Sequence, residues 1–240
     1  MAEDKNKLNE EVEGIEATEE VNTSEQFVEK NMKQLVILMA GILILVIGGT
    51  YFYTTSGDAV LEDQKKIFRA QYYFGLDSTN LALFGDTTGE VNDELVGFDE
   101  LVGELESSKI QNLNNYYVGL INLKNGQYEQ AVSFLSDFDS DDDLLLARGK
   151  SLLGDAYMEL AETDVSNYAK AIAAYKKSTE LEKNAAFTPV YLMKLALAYE
   201  LNGNNAKAIA TYTTLIDGYK PTIAEVADAK KYRALLEAKS

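Results

Sequence analysis

Three times in the second half of the chain a small residue is followed by an alanine and, four residues further on, by a bulky side chain. The sets are Gly119, Ala131 and Leu135; Gly154, Ala171 and Tyr175; Ala196, Ala208 and Tyr212. Around each set the apolar residues recur at helical spacing, as in YAKAIAAYKKSTEL from Tyr168 to Leu181. Two antiparallel helices cross closely only where a small side chain of one meets a small side chain of the other. A large residue one turn on then fills the hollow under the next pair. A chain patterned in this way has to stack helix pairs, and the stretch from Tyr168 to Leu181 is scaffold rather than a site of chemistry.

The segments are YYVGLINLKNGQYEQAVSFL (116–135), SLLGDAYMELAETDVSNYAKAIAAYKKSTEL (151–181) and YLMKLALAYELNGNNAKAIATYTTLI (191–216). They resemble tetratricopeptide repeats (TPR), in which each repeat is one helix pair of a solenoid. The expected fold class is all-α: a single N-terminal transmembrane helix followed by a right-handed TPR α-solenoid. Gly126 and Gly203 stand where first helices should stop at positive φ. Thr188 followed by Pro189 predicts an N-cap with proline at N1. Thr222 and Glu225 have the spacing of a capping box that opens a last, polar helix through about Ala238. From Gly154 to Ala171 the gap exceeds that of the other two repeats, so an insertion near 162–166 is expected.

LVILMAGILILVIGGTYFY, Leu35 to Tyr53, lies in a charge-free window from Gln34 to Gly57. At about 1.5 Å per residue it is long enough to cross a hydrocarbon core of about 30 Å. Tyr51, Phe52 and Tyr53 end it where interfacial aromatics belong. A cleaved signal peptide fits poorly, because the segment before it is long and acidic and no A-x-A site follows. Before it, residues 1–33 hold ten acids and four bases. So little apolar surface cannot offset the entropy of ordering, and the composition predicts disorder. Helices are predicted at 61–75, near 81–84 and at 91–106. The expected divisions are an acidic tail at 1–33, a membrane helix at 34–54, a helical spacer with an atypical first repeat at 55–111, three repeats at 112–221 and a capping helix at 222–240.

The 240 residues include no histidine and no cysteine. Disulfides, thiolate nucleophiles, Cys/His zinc sites and imidazole acid–base chemistry are thereby excluded. The formal charge of −17 disfavours phosphate backbones, so no nucleic-acid partner is expected. DFDSDDD (137–143) departs from a calcium-binding loop, with Asp142 where glycine and Arg148 where glutamate would be needed. It is expected to be a solvated turn whose acids cap the next helix. No metal, cofactor, small-molecule substrate or catalytic pair is expected.

The order of tail, span, spacer and repeats is similar to the YfgM-like family of membrane-anchored tetratricopeptide proteins, in particular Bacteroidetes-type members. RAQYYFGLDSTNLALFGD (69–86) and TPVYLMKLALAYELNG (188–203) carry that resemblance. It implies an inner-membrane protein with a cytoplasmic N-terminus and a periplasmic repeat domain. Lysines near the two ends of the span balance, Lys30 and Lys33 against Lys65 and Lys66, so this orientation rests on the resemblance. The implied partners are Sec translocon subunits, a membrane-anchored prolyl isomerase and unfolded secreted clients, for which the protein would act as an ancillary chaperone-like factor. A structural assembly factor linking envelope complexes is the alternative.

Numbering each repeat from its first helix predicts the residues of a concave, protein-binding groove. They are Leu113, Tyr116, Leu120, Leu123 and Lys124; Arg148, Ser151, Asp155, Met158 and Glu159; and Val190, Met193, Leu197, Glu200 and Leu201. Apolar, Met-containing ends around a charged middle suit extended or poorly folded segments.

Overall fold

The computed structural model describes residues 2–89, 95–181 and 183–239; of residues 2–29, 35–36, 40 and 51–56 it describes the backbone alone. Among the described residues there are nine helices and no strand. They are α1 (Ala2–Gly75), α2 (Thr79–Phe84), α3 (Ser108–Lys124), α4 (Tyr128–Asp137), α5 (Asp143–Leu160), α6 (Asn167–Leu181), α7 (Thr188–Leu201), α8 (Asn205–Gly218) and α9 (Ala224–Glu237). The chain forms two units, Met1–Asp58 and Ala59–Ser240.

In the first unit the backbone is helical from Ala2, so the unstructured tail expected at 1–33 is corrected. The segment lacks proline, and extending a helix that already exists costs far less than nucleating one. Lys30–Thr50 is long and apolar enough to cross a membrane, and none of it is buried against protein. Ile37, Leu38, Met39 and the run Ile42–Ile47 all stand exposed. Thr50 Oγ1 donates back to the carbonyls of Val46 and Ile47 at 2.9 and 3.0 Å, which satisfies its hydroxyl within the helix. The side chains of Tyr51, Phe52 and Tyr53, expected at an interface, lie outside those described.

The second unit is an α-solenoid in which α3/α4, α5/α6 and α7/α8 stack in order and α9 closes the end. Its core is a chain of clusters. Ile67 and Ala70 of α1, Ala82 and Leu83 of α2, Phe98, and Ile110, Val118 and Ile121 of α3 form the first. Ala131, Leu135, Leu153, Ala156 and Ala174 form the next, then Ala171, Tyr175, Leu195 and Ala198. Leu192, Ala196, Ala208, Tyr212, Leu215, Val226 and Ala229 form the last. Tyr157 packs against both middle clusters, and Tyr199 against the third and the last.

The helix crossings differ from expectation in one respect. In the first two repeats the glycine of the first helix meets the bulky residue of its own repeat rather than the alanine. A side chain added at Gly119 would run into Leu135, one at Gly154 into the Tyr175 ring, and one at Gly149 into the Phe138 ring. The alanines, all fully buried, let the second helix come close enough for that contact.

α3 and α7 end as expected, on Gly126 at φ 76° and Gly203 at φ 74°. In each case the next residue's N–H reaches back into the helix, Gln127 to Asn122 O and Asn204 to Tyr199 O, both at 2.8 Å. Both closures are Schellman motifs. The insertion is the α5–α6 connection at 161–166, where Asp164 Oδ1 accepts from Ser166 N at 3.0 Å.

Two predicted caps are absent. Phe187 holds the N-cap position of α7, while the Thr188 hydroxyl accepts from Asn184 N at 2.9 Å. Ile223 precedes α9 with no side-chain cap. The helix predicted at 91–106 is also corrected. Residues 90–94 lie outside those described, and 95–106 are turns held by Phe98 N and Asp99 N donating to the carbonyls of Ala82 and Leu83, both at 2.9 Å.

Candidate functional site

The predicted groove residues lie on the three first helices, α3, α5 and α7, but they do not share one environment. Lys124, Arg148, Glu159, Leu197 and Leu201 are exposed, the two leucines at 43% and 51%. Leu113, Leu120, Leu123, Asp155, Met158, Val190, Met193 and Glu200 are half-buried. Leu113, Leu123, Met158 and Met193 rest against the first, second, third and last core clusters respectively.

Tyr116 and Ser151 are corrections, since both are buried. Tyr116 is 4% exposed, with its ring 5.3 Å from that of Phe138 and 5.6 Å from that of Tyr117. Sequence position placed it on the wall, but the phenylalanine of the following turn covers it. Burial pushes its hydroxyl above the usual tyrosine range, with the Arg148 charge working against that.

The middle of the predicted wall is a polar junction. Lys194 Nζ donates to Asp155 Oδ2 at 2.6 Å, with Ser151 Oγ 3.5 Å away, while the Tyr175 hydroxyl donates to Asp155 Oδ1 at 2.7 Å. One carboxylate thus joins α5, α6 and α7. Burial first, and the Asp155 charge second, raise the Tyr175 hydroxyl far above its ordinary range. It therefore stays a donor throughout the physiological pH range. Tyr212 is raised in the same sense by burial and by Glu200, whose Oε2 lies 3.5 Å from its hydroxyl. Sequence reasoning missed Lys194 and Tyr175 as partners of this wall. The available signal was a lone cation, Lys194, in the apolar run VYLMKLALAY.

Lys124 is also engaged, 2.9 Å from Asp77 and with its ammonium 5.6 Å from the Phe74 ring centre. Its hydrogen bond, and then its charge, hold the Asp77 carboxyl below the usual range. In the acidic turn, Asp142 Oδ1 accepts from the N–H groups of Leu144 and Leu145 at 2.9 and 3.0 Å, so it caps α5 as predicted. The turn is further tied down by Asp139 N donating to Asn112 Oδ1 at 3.2 Å and by Lys150 Nζ donating to Phe138 O at 3.1 Å. Burial lowers the Lys150 ammonium, opposed by Asp139.

The family model of the tetratricopeptide repeat matches residues 191–220, which are α7, α8 and the turn between them. Neither the curated proteins nor the solved structures include a match. The chain thus contains a tetratricopeptide repeat, and α3–α6 stack as two further helix pairs beside it.

Proposed function

We propose that this protein is a non-enzymatic interaction scaffold, anchored by one membrane helix, that binds proteins through the wall formed by α3, α5 and α7. The carrying observation is that Leu197 and Leu201 stand exposed on the first helix of the repeat that matches the tetratricopeptide model. Repeats of that kind present first-helix side chains to protein partners. The polar junction at Asp155 and Lys194 occupies the middle of the same wall and orients whatever segment lies across it.

On the YfgM-like resemblance, the anchor sits in the inner membrane with the N-terminus cytoplasmic and the repeats periplasmic. The partners are then Sec translocon subunits, a membrane-anchored prolyl isomerase and unfolded secreted clients. Photo-crosslinkers placed at positions 197 and 201 in native membranes test this. Adducts with translocon subunits or emerging secreted chains are the expected result. Adducts confined to subunits of other envelope complexes would replace the export role with an assembly role, and no protein adduct from either position would overturn the scaffold itself.

A further inference from the structure

A cleft of about 730 Å³ opens between the N-terminal half of α3, the turn at 138–142 and the start of α5. Leu113 and Leu145, both half-buried, supply its open apolar surface, while Ile110 and Phe138 beside them are buried. Its charges come from Asp139, Asp141 and Asp142 against the single cation Lys109. Asp142 is spent on capping α5; among the described residues the Asp139 and Asp141 carboxylates show no hydrogen bond or ion pair, though the Asp139 charge acts on the Lys150 ammonium. Bonds to Asn112 and Lys150 tie the turn at its rim, and the Phe138 ring is buried beside Gly149.

We infer that this cleft docks an extended segment of a partner protein carrying a large apolar side chain flanked by lysine or arginine. The apolar lining takes the large side chain out of water. Asp139 and Asp141 are exposed, in a stretch holding five aspartates in seven residues. That local excess of negative charge attracts a cationic flank and repels an acidic one. The inference rests on the scaffold reading above and gives it a partner chemistry. Leu113, a predicted groove residue, joins the cleft to the rest of the wall.

The test uses the full chain in detergent micelles and fluorescence anisotropy of labelled extended peptides. One peptide has Leu-Phe flanked by lysines; its counterparts carry glutamates for the lysines, or glycines for Leu-Phe. The lysine peptide should bind more tightly than either counterpart. Asp139→Asn combined with Asp141→Asn should weaken it about tenfold while the chain stays folded by circular dichroism, and added salt should weaken it in the same direction. Val165→Asp, in the exposed α5–α6 connection and outside both cleft and wall, should leave it unaltered. Equal binding of the lysine and glutamate peptides, an unaffected double variant, or no binding of any peptide would each overturn the inference. So would displacement by calcium chloride far beyond that by sodium chloride of equal ionic strength, since the acids would then be holding a cation. The crosslinks at 197 and 201 report separately: adducts there without peptide discrimination sink the cleft and spare the scaffold.

Discussion

Gly154 faces the flat of the Tyr175 ring, and that contact sets how close α5 and α6 can come. Gly154→Val should therefore cost roughly 1–3 kcal/mol through overpacking, read as a lowered denaturation midpoint at unchanged m-value. An unchanged midpoint would mean the ring swings away freely. Tyr116→Asp buries a carboxylate against Phe138 and Tyr117 and should unfold the N-terminal half of the stack, whereas Leu197→Asp should leave stability within about 0.5 kcal/mol. Circular dichroism on both variants decides which residue is core and which is wall. The small–Ala–bulky pattern was legible in the sequence because it is a spacing. Its contact partners were not, since spacing says which residues face inward without saying which one fills which hollow. Tyr116 shows the same limit: helical position predicts a face, but Phe138, from an irregular turn, decides whether that face sees water.

Between elements, the most loaded link is Asp63 of α1. Its side chain is 1% exposed and accepts from Ser107 N at 2.7 Å and from Lys66 Nζ at 3.0 Å. Burial works to raise this carboxyl, but the Ser107 and Lys66 bonds outweigh it and the net direction is down. A carboxyl lowered on folding adds stability that is complete above its unfolded value, near pH 4, and is lost as pH falls through its lower folded value. Asp63→Asn should cost about 1.5–3 kcal/mol at pH 7, the range for hydrogen bonds to a charged group. Melting curves of wild type and variant should converge on acidification; a gap that stays constant from pH 7 to pH 3 would show that the charge is irrelevant. The predicted helices at 61–75 and near 81–84 are present as part of α1 and as α2. Turns replace helix at 95–106 because backbone bonds to Ala82 and Leu83 compete with the helical ladder there, a tertiary effect that periodicity does not encode.

At the scale of the molecule, Lys30–Thr50 is apolar throughout its centre, and none of its described side chains is buried. On the proposed anchoring, the protein should stay with membranes in alkaline carbonate and keep its N-terminus; a soluble form starting after residue 50 would contradict it. On the proposed orientation, protease added to spheroplasts should digest residues 59–240, and full protection until the inner membrane is lysed would reverse it. The solenoid was legible because three repeats echo one another. The helical backbone of residues 2–33 was not, because composition speaks to burial and says little about a helix extended from a neighbour.

Tyr157 and Tyr199 each belong to two of the clusters that succeed one another along the stack. They resemble couplings between carriages: Lys170 lies over the Tyr157 ring at 5.4 Å and Lys207 over the Tyr199 ring at 5.5 Å. Calorimetric cooperativity in such a stack depends on how strongly neighbours are joined. Tyr157→Ala should therefore split the endotherm in two, the carriages on either side of the lost coupling melting independently.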